Sequence, residues 1–189
     1  MPSEFTQALR DWQSFFLLAG TAAATLTGLM FIAITLSSRF ITRTSAPHVR
    51  VWLDPTLFQF GGVLVTALVF LIPNATVFSV GVFLTVAGVL TLMGWVRTLR
   101  RMLRQQSIQP LDALDWFWYR GLPLLSTLLV FAAGIGFLRG TVGAITLAGI
   151  GCLLLLVASL VNAWDVVLES VQFDPQDMER YKAELQRGP

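Results

Sequence analysis

A single cysteine, Cys152, and a single histidine, His48, bound the chemistry open to this chain. One cysteine cannot form an intramolecular disulfide, a zinc knuckle or a CxxC redox pair. One histidine leaves no histidine-rich metal or haem site within the chain. Ser45 precedes His48 as a nucleophile would precede a base, but no acid is placed to complete a triad, and an interfacial loop histidine is the simpler reading. No GxGxxG or P-loop pattern occurs. Asn74-Ala75-Thr76 matches a glycosylation sequon and reads as a turn. These residues predict a non-enzymatic protein with no cofactor and no bound metal.

Three other groupings have informative spacing. Asp165 and Glu169 are four apart, on one helix face, next to Asn162-Ala163-Trp164. Ionised carboxylates are costly at the bilayer centre, about 2.5–3.5 kcal/mol each. At a helix end they predict an ion pair with Arg39, Arg43 or Arg97, and Asn162 bonding across helices, to lock a bundle; a charged cytoplasmic vestibule is the sharper alternative. Arg97, Arg100, Arg101 and Arg104 stand at i, i+3, i+4 and i+7, a basic stripe that marks the cytoplasmic side and attracts anionic lipid headgroups. Gly20, Ala24 and Gly28 form a small-xxx-small ladder for close helix packing, against another span of the chain or in a homo-oligomer seam. Arg50 and Asp54 form a further i,i+4 pair, with Asp54-Pro55 as a helix cap, and Gln59 is the most polar residue of the apolar run that follows.

The elements that must position these groups follow from where charge is missing. Of 189 residues, 55% are hydrophobic and 13% charged, about half the charge of a soluble domain. Mean hydropathy is +0.70. Charge is absent from Trp12 to Ser38, Pro55 to Val96, Gly121 to Leu138 and Gly140 to Trp164. A helix needs about 20 apolar residues to cross a bilayer. The runs predict an all-α integral membrane bundle with five spans, about 14–36, 55–72, 77–96, 121–138 and 141–164. Residues 1–172 form this domain and 173–189 a short cytoplasmic helical tail, capped at Asp174-Pro175.

With the N-terminus outside, eleven basic residues fall in the inner segments, and Arg10 and Arg139 in the outer ones. The positive-inside rule therefore places the N-terminus outside and the C-terminus inside. Trp95, Trp116, Trp118, Tyr119 and Trp164 then gather near the inner interface. Phe5, Leu9, Trp12 and Phe16 recur at helical spacing and predict an amphipathic lead-in to the first span, and the last helix extends to about Val171. Residues 64–92 and 125–153 align without gaps and predict a parallel repeat of two hairpins. A net charge of +2, with the basic stripe against the bilayer, argues against nucleic-acid binding.

Trp12-x-x-Phe15-Phe16 and Gly20-x-Ala22-Ala23-Ala24-x-Leu26-x-Gly28-Leu29-x-Phe31-x-Ala33-Ile34 resemble the opening of a family of small bacterial multi-pass membrane proteins. Asn162-Ala163-Trp164 followed by Glu169 resembles its closing segment, and the likeness runs over roughly 12–170. Asp165 departs from the pattern, where an apolar residue is expected. Some members are labelled modulators of a membrane-bound AAA+ protease. The resemblance implies a bacterial inner-membrane protein with four to five spans. Together with the lack of catalytic motifs and the cytoplasmic bias of the loops, it points to a protein that acts by association with other membrane components, regulatory in role. A small homo-oligomeric channel or carrier is the alternative, resting on the small-residue ladder and the inner charges.

Overall fold

The computed structural model describes residues 2–37, 46–104 and 117–171, with side chains for 4–32, 35, 56–97 and 117–164. The elements are α1 (Pro2–Ser37), α2 (Ala46–Leu71), α3 (Val77–Arg104), a π-helical turn (Phe117–Gly121) that runs into α4 (Leu122–Leu138), and α5 (Ala144–Val171). No strand occurs among the described residues. Among the described residues four stretches are long and apolar enough to cross a membrane: Glu4–Ile32, Val77–Arg97, Phe117–Leu138 and Ala144–Trp164. α2 contributes a shorter apolar stretch, Thr56–Leu71.

The helix ends are satisfied locally, as hydrocarbon requires. Between α2 and α3, Asn74 takes the left-handed conformation at φ 59°, which asparagine tolerates. Thr76 and Ser79 then cap α3 reciprocally: the Ser79 N–H donates to Thr76 Oγ1 (3.1 Å) and the Thr76 N–H to Ser79 Oγ (3.0 Å). After α4, Gly140 has φ +77°. Its N–H donates to the Phe137 carbonyl (2.9 Å) and the Thr141 N–H to the Gly136 carbonyl (2.9 Å). These two bonds are a Schellman closure, whose left-handed position favours glycine.

α5 is the centre of the bundle. It packs on α4, α2 and α1; α1 also lies along α2, and α3 covers α4 on the far side. The α1 face against its neighbours is Phe16, Ala19, Gly20, Ala23 and Met30. Glycine lets the other helices close. A Cβ on Gly81 would lie 3.0 Å from the Leu138 nitrogen, one on Gly134 2.7 Å from the Thr85 nitrogen, and one on Gly151 3.1 Å from the Ser126 carbonyl. Packing of this kind drives helix association in lipid, where burial of apolar surface contributes little.

An aromatic cluster ties the end of the bundle that holds the α1 N-terminus. Phe16 of α1 stacks on Phe70 of α2, with ring centroids at 4.1 Å and planes 11° apart. Phe137 of α4 meets both Phe5 (5.8 Å, edge-to-face) and Phe70 (5.9 Å). The helical lead-in read from Phe5, Leu9, Trp12 and Phe16 is therefore continuous with α1, and Phe5 and Phe16 are buried.

Two expectations are overturned. α2 begins at Ala46 and runs through Pro55, so Asp54-Pro55 does not cap it. A proline removes one N–H, and membrane helices tolerate that where neighbouring groups compensate. The hairpin repeat also fails. α4 and α5 pack along their length, whereas α2 and α3 barely touch although a short turn joins them. α3 turns its glycine face to α4, and α2 its buried face to α1 and α5, so the two hairpins are not alike.

Candidate functional site

Four polar side chains of the core meet where the middle of α2 passes the second half of α5. Thr56 and Gln59 are one turn apart on α2, Ser159 and Asn162 one turn apart on α5, and all four are buried. The Asn162 side-chain N–H donates to Gln59 Oε1 at 3.2 Å, joining residues 103 positions apart. Asn162 Oδ1 is buried without a partner. Ser159 donates its hydroxyl back to the Leu155 carbonyl, Thr127 to the Pro123 carbonyl, and Ser126 across to the Gly151 carbonyl of α5. Interhelical side-chain bonds in lipid average about 0.6 kcal/mol and reach about 1.7 kcal/mol. The amide pair carries no charge and no exchangeable acid, so it sets register between α2 and α5 and does not move protons.

The expected cross-helix bond of Asn162 thus exists, and its partner is Gln59. The pairing of Asp165 and Glu169 with arginine stands differently. Both carboxylates lie on α5, four residues apart, but their side chains, with Arg39 and Arg43, lie outside the described residues. Arg97 is exposed on α3, which packs on α4.

The Gly20, Ala24, Gly28 ladder is divided in the same way. Gly20 is buried, and a Cβ there would meet Ala67 Cβ of α2 at 3.0 Å. Ala24 is exposed, and Gly28 has nothing within 4 Å of where its Cβ would be. The seam within the chain uses Ala23 in place of Ala24. Ala24 and Gly28, with Thr21 and Thr25, form a separate outward face. Their hydroxyls donate to the Leu17 and Thr21 carbonyls (both 2.8 Å), so that face presents no free donor.

Arg97, Arg100, Arg101 and Arg104 all fall within α3, so their spacing does place them on one side of a helix. The side chains of Arg100, Arg101 and Arg104 lie outside the described residues. Sequence reasoning missed the π turn at Phe117–Gly121. Pro123 has no N–H to offer the Tyr119 carbonyl, so the regular ladder cannot continue there and a wider turn takes its place. The turn sets Trp118 and Arg120, both half-buried, at the head of α4. A proline two residues after Gly121 was the available signal.

Cys152 is buried in the middle of α5 and unpaired. Among the described residues no three of His, Cys, Asp or Glu converge as metal ligands would. Compared with protein-family models, with curated proteins and with solved structures, the chain matches none.

Proposed function

We propose that this chain is a five-span protein of the bacterial inner membrane, N-terminus outside, which acts by association with another membrane protein rather than by catalysis. α2 is the fifth span: it lies between α1 and α5, both long enough to cross, and its 26 residues share their depth. The arginine distribution supports the orientation. Its stripe at Arg97, Arg100, Arg101 and Arg104 meets headgroups on the cytoplasmic side, and the partner is a membrane complex regulated from within the bilayer, of which an AAA+ protease is the class the resemblance names.

The observation that carries association is the outward face of α1. Thr21, Ala24, Thr25 and Gly28 are exposed together, with hydroxyls already satisfied and nothing among the described residues within 4 Å of a Cβ at Gly28. On other helices stand large apolar side chains suited to lipid, among them Phe58 (70% exposed) and Phe78 (69%). A flat small-residue strip admits another helix backbone closely. The same strip favours the second reading, a homo-oligomer that conducts or carries. A photo-crosslinking residue at Ala24 in native membranes separates the two. A single foreign protein crosslinked in stoichiometric amount supports association, a symmetric self-crosslink supports the oligomer, and lipid adducts alone refute both.

A further inference from the structure

Two primary amides that meet can exchange two hydrogen bonds, each N–H donating to the other's carbonyl oxygen. At the α2–α5 seam one of the two is made: Asn162 donates to Gln59 Oε1 at 3.2 Å, the long end of the usual range. The return bond is open. Asn162 Oδ1 is buried without a partner, and the residue as a whole is 2% exposed. A buried carbonyl oxygen left unsatisfied is costly, and such groups nearly always find a protein or water partner. A helix hydroxyl can settle with its own backbone, as Ser159 does by donating to the Leu155 carbonyl. A side-chain carbonyl only accepts, and the backbone N–H groups around it are already spent in the helix. The donor for Asn162 Oδ1 has to come from elsewhere.

We infer that the amide pair is the binding site of a single internal water, which donates to Asn162 Oδ1, accepts from a Gln59 side-chain N–H and so closes the ring between α2 and α5. The chemistry selects water over an ion. A cation at Oδ1 would face the N–H of Gln59, and an anion would face the oxygen itself; water offers a proton to one and a lone pair to the other. Its second proton has polar neighbours, since Thr56 and Ser159 each stand one turn from the pair and are buried, and a hydroxyl oxygen keeps lone pairs after donating. An internal water typically holds about three such bonds. Gln59 keeps 8% of its surface open, so the seam is not sealed over it. The path to charged residues is short: Asp165 follows Asn162 by about 4.5 Å of helix rise, and Asp54 precedes Gln59 by about 7.5 Å. The site depends on the contact of α2 with α5 and on no partner of the chain.

The test uses the full chain in phosphatidylcholine bilayers, with asparagine and cysteine isotopically labelled. The sequence holds two asparagines, Asn74 and Asn162, and one cysteine, Cys152, so each label reports a known place. Asn74→Gly, which suits the left-handed turn, assigns the two asparagine signals. Magnetisation is passed from water protons to the protein and its build-up followed by magic-angle-spinning NMR. Exposed Asn74 builds up fast and buried Cys152 slowly. Asn162 is as buried as Cys152, at 2% against 1%, yet its side-chain amide builds up several times faster. The infrared carbonyl band of labelled Asn162 falls to the hydrogen-bonded position of Asn74 and shifts on exchange into heavy water. An Asn162 build-up as slow as that of Cys152 overturns the inference. A low band would then mean that Gln59 closes the ring directly, and a high one that nothing does. Asn162 and Cys152 both building up as fast as Asn74 overturns it too, because water then fills the core and has no particular site.

Discussion

Replacing Gly134 by alanine measures how far the α3–α4 seam depends on backbone contact. The added Cβ would stand 2.7 Å from both the nitrogen and the hydroxyl of Thr85, and 3.1 Å from the Leu84 carbonyl carbon. Comfortable contact between carbons begins near about 3.5 Å, so α3 must withdraw by a sizeable fraction of an ångström. It cannot do so by turning a side chain, because two of the three atoms are backbone. Gly94→Ala on α3 is the control, since nothing lies within 4 Å of its Cβ position. Both variants gain the same helix propensity of about 1 kcal/mol, which cancels between them. What remains is the overpacking cost of about 1–3 kcal/mol at Gly134. At about 2–4 °C per kcal/mol for a chain of this size, Gly134→Ala melts roughly 2–12 °C below Gly94→Ala. Thermal unfolding in mild detergent, followed by tryptophan fluorescence, reads the difference. Indistinguishable melting of the two would refute the close approach of α3 and α4.

Other predictions concern separate links. A double-mutant cycle on Gln59→Ala and Asn162→Ala yields a coupling of about 0.6 kcal/mol and no more than about 1.7 kcal/mol by steric-trap unfolding; zero coupling removes the α2–α5 bond. Phe16→Ala, which loses the stack on Phe70, costs about 3–5 kcal/mol, and a melting temperature near wild type contradicts that packing. In a Cys152→Ser background, Thr141→Cys labels with an impermeant maleimide from outside intact cells and Gln106→Cys only after lysis; the reverse pattern inverts the proposed topology. Wild-type Cys152 itself stays unlabelled until denaturation, because it is 1% exposed.

Helix positions were legible in the sequence because lipid exposure and charge exclude one another. The charge-free runs placed all five described helices, which outrun them only at ends that carry charged residues, among them Arg10, Arg50, Arg100, Arg120 and Asp165. Helix partnership was not legible. A hydrophobic span shows which residues avoid water but not which neighbour they choose, since leucine is equally at home on lipid or on a helix. That is why the ladder was read as Gly20, Ala24, Gly28 when the buried row passes through Ala23. Glycines supply the missing information, but only once their Cβ directions are known. Gln59 was visible as the one strongly polar residue inside its span, and Asn162 as a cross-helix donor. Nothing in the spacing of residues 103 apart could join them.

The parting of α2 from α3 also bears on how the chain is made. α2 finds α1 as soon as it is synthesised, but α5, on which it also packs, is the last of the described helices to emerge. The distance from Gln59 to Asn162 is 103 residues, a delay of roughly 5–20 s at ordinary rates of translation. Through that interval Gln59 has no Asn162, and the surface that will receive Leu155 is open. A nascent chain stalled before α5 therefore holds Gln59 without its amide partner, and closure of the bundle waits for α5.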